Sequence, residues 1–255
     1  SVTDSLDNTL TTLNDCSVEN DQLEEDLSVF ETVEEEQDYS MSFDGNNDYV
    51  RIAHDEIFNI TNDISILAWI NLAQFDNDHN SIIGKRDCSQ PLQGEFPWLL
   101  STSIDFPSPQ VLIGSAKNNN YTYAQSGPPI IENNTWVHVA ASVTGDSVNL
   151  YHNSQFISTQ YFPQDNRIIN YQDILVGSVG RPTQEYLEGK LDDIIIFDSS
   201  LPQEQIQYYM NCPPTGEEEG LVGYWNFNEG SGDTVYDVSG NGNHGIIYGG
   251  AEFSE

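Results

Sequence analysis

From Tyr39 onward the chain is a succession of short runs of β-branched and aromatic residues with period-two alternation, cut by clusters of Asn, Asp, Gly and Pro. Such a pattern buries one face of a strand at a time, so the chain must pair these runs into sheets and stack the apolar faces. Candidate strands cover 40–44, 48–52, 64–72, 80–86, 97–102, 110–115, 120–125, 135–144, 147–152, 155–160, 173–177, 189–198, 220–228 and 244–248, with one helical stretch near Pro202 to Asn211. The expectation is an all-β body of two antiparallel sheets. In the run from Trp136 to Val143 the alternation puts Trp136, His138 and Ala140 on one face and the valines on the other, as in a central strand. Trp69, Trp136, Trp225 and His138 are expected in the core.

Residues 1–38 read differently. They hold thirteen acidic side chains and no Lys or Arg, and Leu13, Cys16, Asn20, Leu23, Leu27 and Phe30 recur at alternating three- and four-residue steps. This is the seam of a short coiled coil, so residues 1–38 form an acidic helical stalk that could self-associate through residues 10–33. The same segment also reads as a solvated acidic linker. Residues 39–255 form the sandwich, with 216–255 either closing it or beginning a second repeat.

The whole chain carries 41 Asp and Glu against 7 Lys and Arg, a formal charge of −34. That field repels phosphate backbones and anionic lipid, which excludes nucleic acid and membrane surfaces as partners. No apolar run reaches the length of a membrane helix, and the start at Ser1 has no basic-then-apolar leader. The chain therefore reads as a module of a larger extracellular or cell-surface protein. Three cysteines allow one disulfide and one free thiol, with Cys88 to Cys212 the expected pair.

Several motifs, in order, carry a resemblance: Ser42-Phe43-Asp44-Gly45-Asn46-Asn47-Asp48-Tyr49-Val50, Ile66-Leu67-Ala68-Trp69-Ile70, and Asn134-Thr135-Trp136-Val137-His138-Val139-Ala140. They continue as Gly189-Lys190-Leu191-Asp192-Asp193-Ile194-Ile195-Ile196-Phe197, Leu201-Pro202-Gln203-Glu204-Gln205-Ile206, Gly220-Leu221-Val222-Gly223-Tyr224-Trp225-Asn226-Phe227 and the block from Asp237 to Gly245. Residues 39–255 thereby resemble the laminin-G-like members of the concanavalin A-like lectin and glucanase superfamily. In many relatives the Tyr-Trp-Asn-Phe block precedes the Phe-Asp-Gly strand, whereas here it follows the helix.

The resemblance implies a concanavalin A-like jelly-roll sandwich. It also implies a structural Ca2+ shared between the turn at Asp44, Asn46 and Asp48 and the strand at Asp192 and Asp193. A turn rich in hard oxygens suits calcium, but Asp44 and Asn46 equally suit a hairpin turn held by side-chain-to-backbone bonds. A second, weaker oxygen-rich loop holds Asp237, Asn241 and Asn243, and its Gly–Asn alternation also describes a tight turn.

The expected function is a carbohydrate-binding or adhesion module engaging polysaccharide or cell-surface glycan. The alternative is a structural module that binds an extracellular protein. Aromatic platforms for sugar are sought on loops and rims at Trp98, Tyr121, Tyr123, Tyr161, Phe162 and Tyr186. A second alternative, a glycoside hydrolase, needs a pair of carboxylates in a cleft. The Glu-x-Asp-x-x-Glu pattern of laminarinase-like enzymes occurs as Glu19-Asn20-Asp21-Gln22-Leu23-Glu24, in the acidic stalk rather than in a sheet. No catalytic residue is assigned.

Overall fold

A computed structural model describes residues 37–73, 80–85, 95–103, 110–118, 120–127, 131–178 and 186–255. The stalk seam at 10–33, the Glu19–Glu24 pattern, Cys16 and Cys88 lie outside the described residues.

The strands are β1 (Ser40–Asp44), β2 (Tyr49–Ile52), β3 (Ile64–Leu72), β4 (Asn80–Gly84), β5 (Phe96–Ser103), β6 (Gln110–Lys117), β7 (Asn120–Gln125) and β8 (Val137–Thr144). They continue as β9 (Ser147–His152), β10 (Gln155–Tyr161), β11 (Ile174–Val176), β12 (Glu188–Phe197), β13 (Leu221–Trp225), β14 (Thr234–Val235), β15 (Gly245–Tyr248) and β16 (Glu252–Ser254). The helix α1 spans Gln203–Asn211. Sheet A runs β10-β9-β8-β3-β12-β1-β16, with β13 also on β12, and sheet B runs β14-β15-β2-β11-β4-β5-β6-β7. Every ladder is antiparallel, giving the expected two-sheet sandwich with one helix among the described residues.

Alternation builds the core directly. In β3, Ile64, Ile66, Ala68, Ile70 and Leu72 face inward, and in β8 Val137, Val139, Ala141 and Val143 do the same. They meet Trp98, Leu100, Val111, Ile113, Ile174 and Val176 from sheet B. The opposite side of β8 is buried as well: His138 is 1% exposed and Ala140 fully covered. The cover over the Ala140 part of that side is α1, whose Ile206, with Leu201 just before it, packs on Leu67, Ala140, Tyr151, Ile195 and Phe197. Ser65 and Ser142 tie down the helix entry: Leu201 N–H donates to Ser65 Oγ, and Ser142 Oγ donates to the Leu201 carbonyl, both at 2.8 Å.

Residues 221–254 add strands to both sheets. β13 and β16 join sheet A beside β12 and β1, and β15 joins sheet B beside β2. Trp225 is 1% exposed, lies 6.3 Å from Phe58 and donates Nε1–H to the Asn243 carbonyl at 3.0 Å. Cys212, at the end of α1, is disulfide-bonded.

Two tryptophans depart from expectation. Trp136 is 38% exposed, because the β3–β8 ladder begins only at the Ile70–Val137 pair and Trp136 lies past its end. Trp69 is half-buried, since it lies on the outward face of β3 beyond the residues that α1 covers.

Replacing Trp225 with Ala removes the aromatic that joins the C-terminal strands to the core. The expected cost is about 3–5 kcal/mol of unfolding free energy, read from urea denaturation; a loss below about 1 kcal/mol would show that residues 221–254 are an appendage.

Candidate functional site

The aromatics expected to meet a ligand divide sharply. Trp98 is fully buried: a register shift between Phe96 and Leu99 turns Trp98 and Leu100 into the core and leaves Phe96 and Leu99 on the outer side of sheet B. Phe162 is also fully buried, under the Arg167 guanidinium 5.6 Å from its ring centroid. Neither can serve as a platform. Tyr121 and Tyr123 are 39% and 40% exposed on β7, Tyr161 is 69% exposed at the end of β10, and Tyr186 is half-buried.

Tyr121 and Tyr123 sit two residues apart on the edge strand of sheet B, so they share one face. Their rings are stacked, 6.4 Å between centroids and 14° between planes. Phe96 supports Tyr121 from 6.2 Å. Tyr123 lies over Gly114, where an added Cβ would come within 2.8 Å of its ring, so glycine is what lets the tyrosine lie flat. The result is a rigid, half-exposed aromatic strip.

A polar network starts beside this strip. Glu95 Oε1 accepts from Asn118 N–H at 2.8 Å, and the Glu95 and Lys85 carbonyls both accept from the Asn170 amide at 3.2 Å. The Lys85 ammonium donates to the Asn170 carbonyl at 3.0 Å and lies 2.9 Å from His54 Nδ1. Burial pushes the Lys85 amine down to about 8, against the opposing pull of Asp173 and Asp55. Tyr171, 79% exposed, sets its ring edge-on to His54 at 5.5 Å. Asp173 accepts from Arg51 on one oxygen and from His54 N–H at 2.8 Å on the other. The Lys85 side chain is fully buried and holds Asn170 and His54 from within, so the surface presents exposed aromatics beside amide and carboxylate groups, a combination that hydrogen-bonds hydroxyls and stacks on apolar sugar faces. His54, Lys85, Asn170, Tyr171 and Asp173 escape the sequence reading. A signal existed: Arg51 and Lys85 are two of only 7 basic residues in the chain.

The expected calcium ligands are not brought together as one site. Asp44 faces Glu188 across the β1–β12 ladder, while Asp192 lies four residues further along β12, opposite Trp69 of β3. At about 3.3 Å per residue that is a separation on the order of 13 Å. The turn closes on itself: Asp44 oxygens accept from Asn46 N–H and from the Asn46 amide, and Asp48 Oδ2 accepts from Asp44 N–H at 2.9 Å. Those Asn46 bonds hold the Asp44 carboxyl below its usual range, whereas burial raises that of Asp48. The weaker loop is likewise internally bonded. Asp237 accepts from the N–H groups of Tyr224, Ser239 and Asn243, and the Asn241 amide donates to the Leu221 and Val222 carbonyls. Among the described residues no three His, Cys, Asp or Glu converge to hold a metal ion. The set spanning Asp44 and Asp192 does not fit a shared calcium.

Asp192 and Asp193 instead occupy a bulge in β12, with Asp193 at φ 44°. Tyr224 Oη donates to Asp193 at 2.6 Å. Burial, then the neighbouring charge of Asp193, pushes Asp192 up to about 8, and burial raises Asp193 to about 6.

The architecture is that of lectin-type sandwiches. Residues 44–207 match the laminin-G-type family model described as the concanavalin A-like lectin/glucanases superfamily, and the chain belongs to that superfamily. No curated protein sequence matches it. Among solved structures it is similar to a candidate carbohydrate binding protein from Bacteroides ovatus, at TM-score 0.64 and 15% identity over 86% of this chain and 60% of that one. The chain thus spans about 60% of that protein's length. It is also similar to the heptameric SAP-like pentraxin of Limulus polyphemus, at TM-score 0.57 and 14% identity over 85% of this chain and 94% of that one. The carbohydrate-binding module CBM40 of the Ruminococcus gnavus IT-sialidase, bound to α2,3-sialyllactose, matches at TM-score 0.52 and 11% identity over 65% of this chain and 95% of that one. These likenesses concern the fold.

The raised carboxyls generate a pH prediction. Both folded values lie above the ordinary 3.8, so between about pH 4 and 8 these two carboxyls hold more protons in the folded chain than in the unfolded one, and their contribution to stability falls as pH rises. Asp192→Asn is therefore expected to raise the melting temperature at pH 8 and change it little at pH 4. A lower melting temperature at pH 8 would overturn the reading that the charged carboxylate is the destabilising form.

Proposed function

We propose that the chain is a non-catalytic carbohydrate-binding module, and that its glycan contact is the Tyr121–Tyr123 strip with the neighbouring Tyr171, His54 and Asn170, the last two held by the buried Lys85. The observation that carries this reading is the stacked, half-exposed tyrosine pair held flat over Gly114 on the edge strand of sheet B. The superfamily and the carbohydrate-binding modules among the structural neighbours support it. The module acts outside the cell, a reading that the Cys212 disulfide supports, since such bonds persist in oxidising compartments.

Titration calorimetry against a panel of plant and marine polysaccharides tests the assignment. Tyr121→Ala and Tyr123→Ala are each expected to cost about 1 kcal/mol of binding, roughly five-fold in Kd, with the thermal melt unchanged. Retention of full affinity in the double variant would remove the strip from the binding face. Blank glycan titrations alongside capture of an extracellular protein would favour a protein-binding module instead.

A further inference from the structure

Sheet A has an open area of its own, beyond the footprint of α1. The register sets Ser42 opposite Lys190 and Lys190 opposite Asn71, so three polar side chains stand in one row across β1, β12 and β3. Their strand neighbours Met41, Phe43, Leu191, Ile70 and Leu72 face the core, which fixes the row as outward-facing. Asp44 and Glu188 form the next pair along, and Asn134 closes the side, donating its N–H to the Leu72 carbonyl at 2.7 Å. These residues line a depression of about 370 Å³, inside the range of about 300–1,000 Å³ typical of small-molecule sites.

The depression is built into the ladder. An added Cβ at Gly189, φ 146°, would lie 2.2 Å from the Asn71 carbonyl, so only glycine lets β12 and β3 close beneath it. The side chains of Ser42 and Asn71 have no hydrogen-bond partner among the described residues. The Lys190 ammonium donates to the Glu255 carbonyl at 2.9 Å, and an ammonium has three donors. Trp69 stands two residues before Asn71 on the same outward face, half-buried and edge-on to His138 at 5.4 Å. Donors and acceptors therefore meet at one small hollow, with Trp69 outside its lining.

We propose that this hollow is a second ligand site, separate from the tyrosine strip, that takes one neutral monosaccharide unit. Lys190 and Asn71 donate to ring or hydroxyl oxygens, and Ser42 and Asp44 accept from hydroxyl groups. Two carboxylates against one ammonium, in a chain of formal charge −34, repel anionic sugars. The two sites lie on different sheets of one sandwich, so a single module joins two glycan chains or two points of one branched chain.

The test is an NMR amide titration with methyl glycosides of glucose, galactose and mannose, with glucuronate as the anionic probe. Saturable shifts at Ser42, Asn71 and Lys190 are expected for at least one neutral glycoside and not for glucuronate. They should persist in Tyr121→Ala, which separates this site from the strip, and weaken about ten-fold in Asn71→Ala. Lys190→Ala, at a side chain outside the core, should weaken binding with the melt intact and so guards against a folding defect in the first variant. Shifts confined to β7, shifts with glucuronate alone, no shifts with any sugar, or unchanged affinity in both variants would overturn the proposal.

Discussion

Strand β12 is the constraint on which the rest of the molecule depends. One of its edges pairs with β3 along most of its length, while the other is divided between β1 near Glu188–Leu191 and β13 near Ile194–Phe197. The strand thereby joins the N-terminal, middle and C-terminal parts of the chain in one sheet. Its pairings span long stretches of sequence, so they form only after the loop-closure entropy of most of the domain has been spent. The handover between β1 and β13 occurs at the bulge of Asp192 and Asp193, where the ladder shifts register and the backbone turns to positive φ. Two half-buried carboxyls stand at that joint, one bonded to Tyr224 and both raised by burial.

The same topology decides which surfaces are open. α1 and the serines that anchor its entry cover the Leu67–Ala140–Phe197 part of sheet A and leave the Ser42–Lys190–Asn71 row uncovered. On the outer side of sheet B, Tyr121 and Tyr123 stand at the edge over the small cluster of Phe96, Leu99 and Ala116, and Tyr49 stacks on Tyr248 further along. The few cations are spent locally: Arg51 on Asp173, Lys85 on His54 and Asn170, Lys190 on the chain end.

Much of the fold was legible along the chain. The runs at 64–72, 120–125 and 147–152 coincide with β3, β7 and β9 because alternation of β-branched and aromatic residues is a local property. β14 and β16 were not legible: two or three residues carry no measurable period. Trp98 failed as a platform because a bulge shifts the phase of β5, and a one-residue shift turns a side chain from one face to the other. Trp136 failed as core because its exposure depends on where the β3 ladder stops.

The chemistry followed the same division. Asp44, Asp48 and the loop at Asp237 were recognisable as oxygen-rich turns, but whether Asp44 meets Asp192 is a question of register between strands some 145 residues apart, and the ladder answers it with Glu188. His54, Lys85, Asn170 and Tyr171 come from three separate segments and mean nothing until β2, β4 and β11 lie side by side. By itself, then, the sequence determined the two-sheet class, the strands and the turn chemistry, all of which follow from neighbours within a few residues. The tertiary structure alone decided which faces are covered and which polar groups meet, because pairing register and the path of α1 are set by contacts across the whole chain.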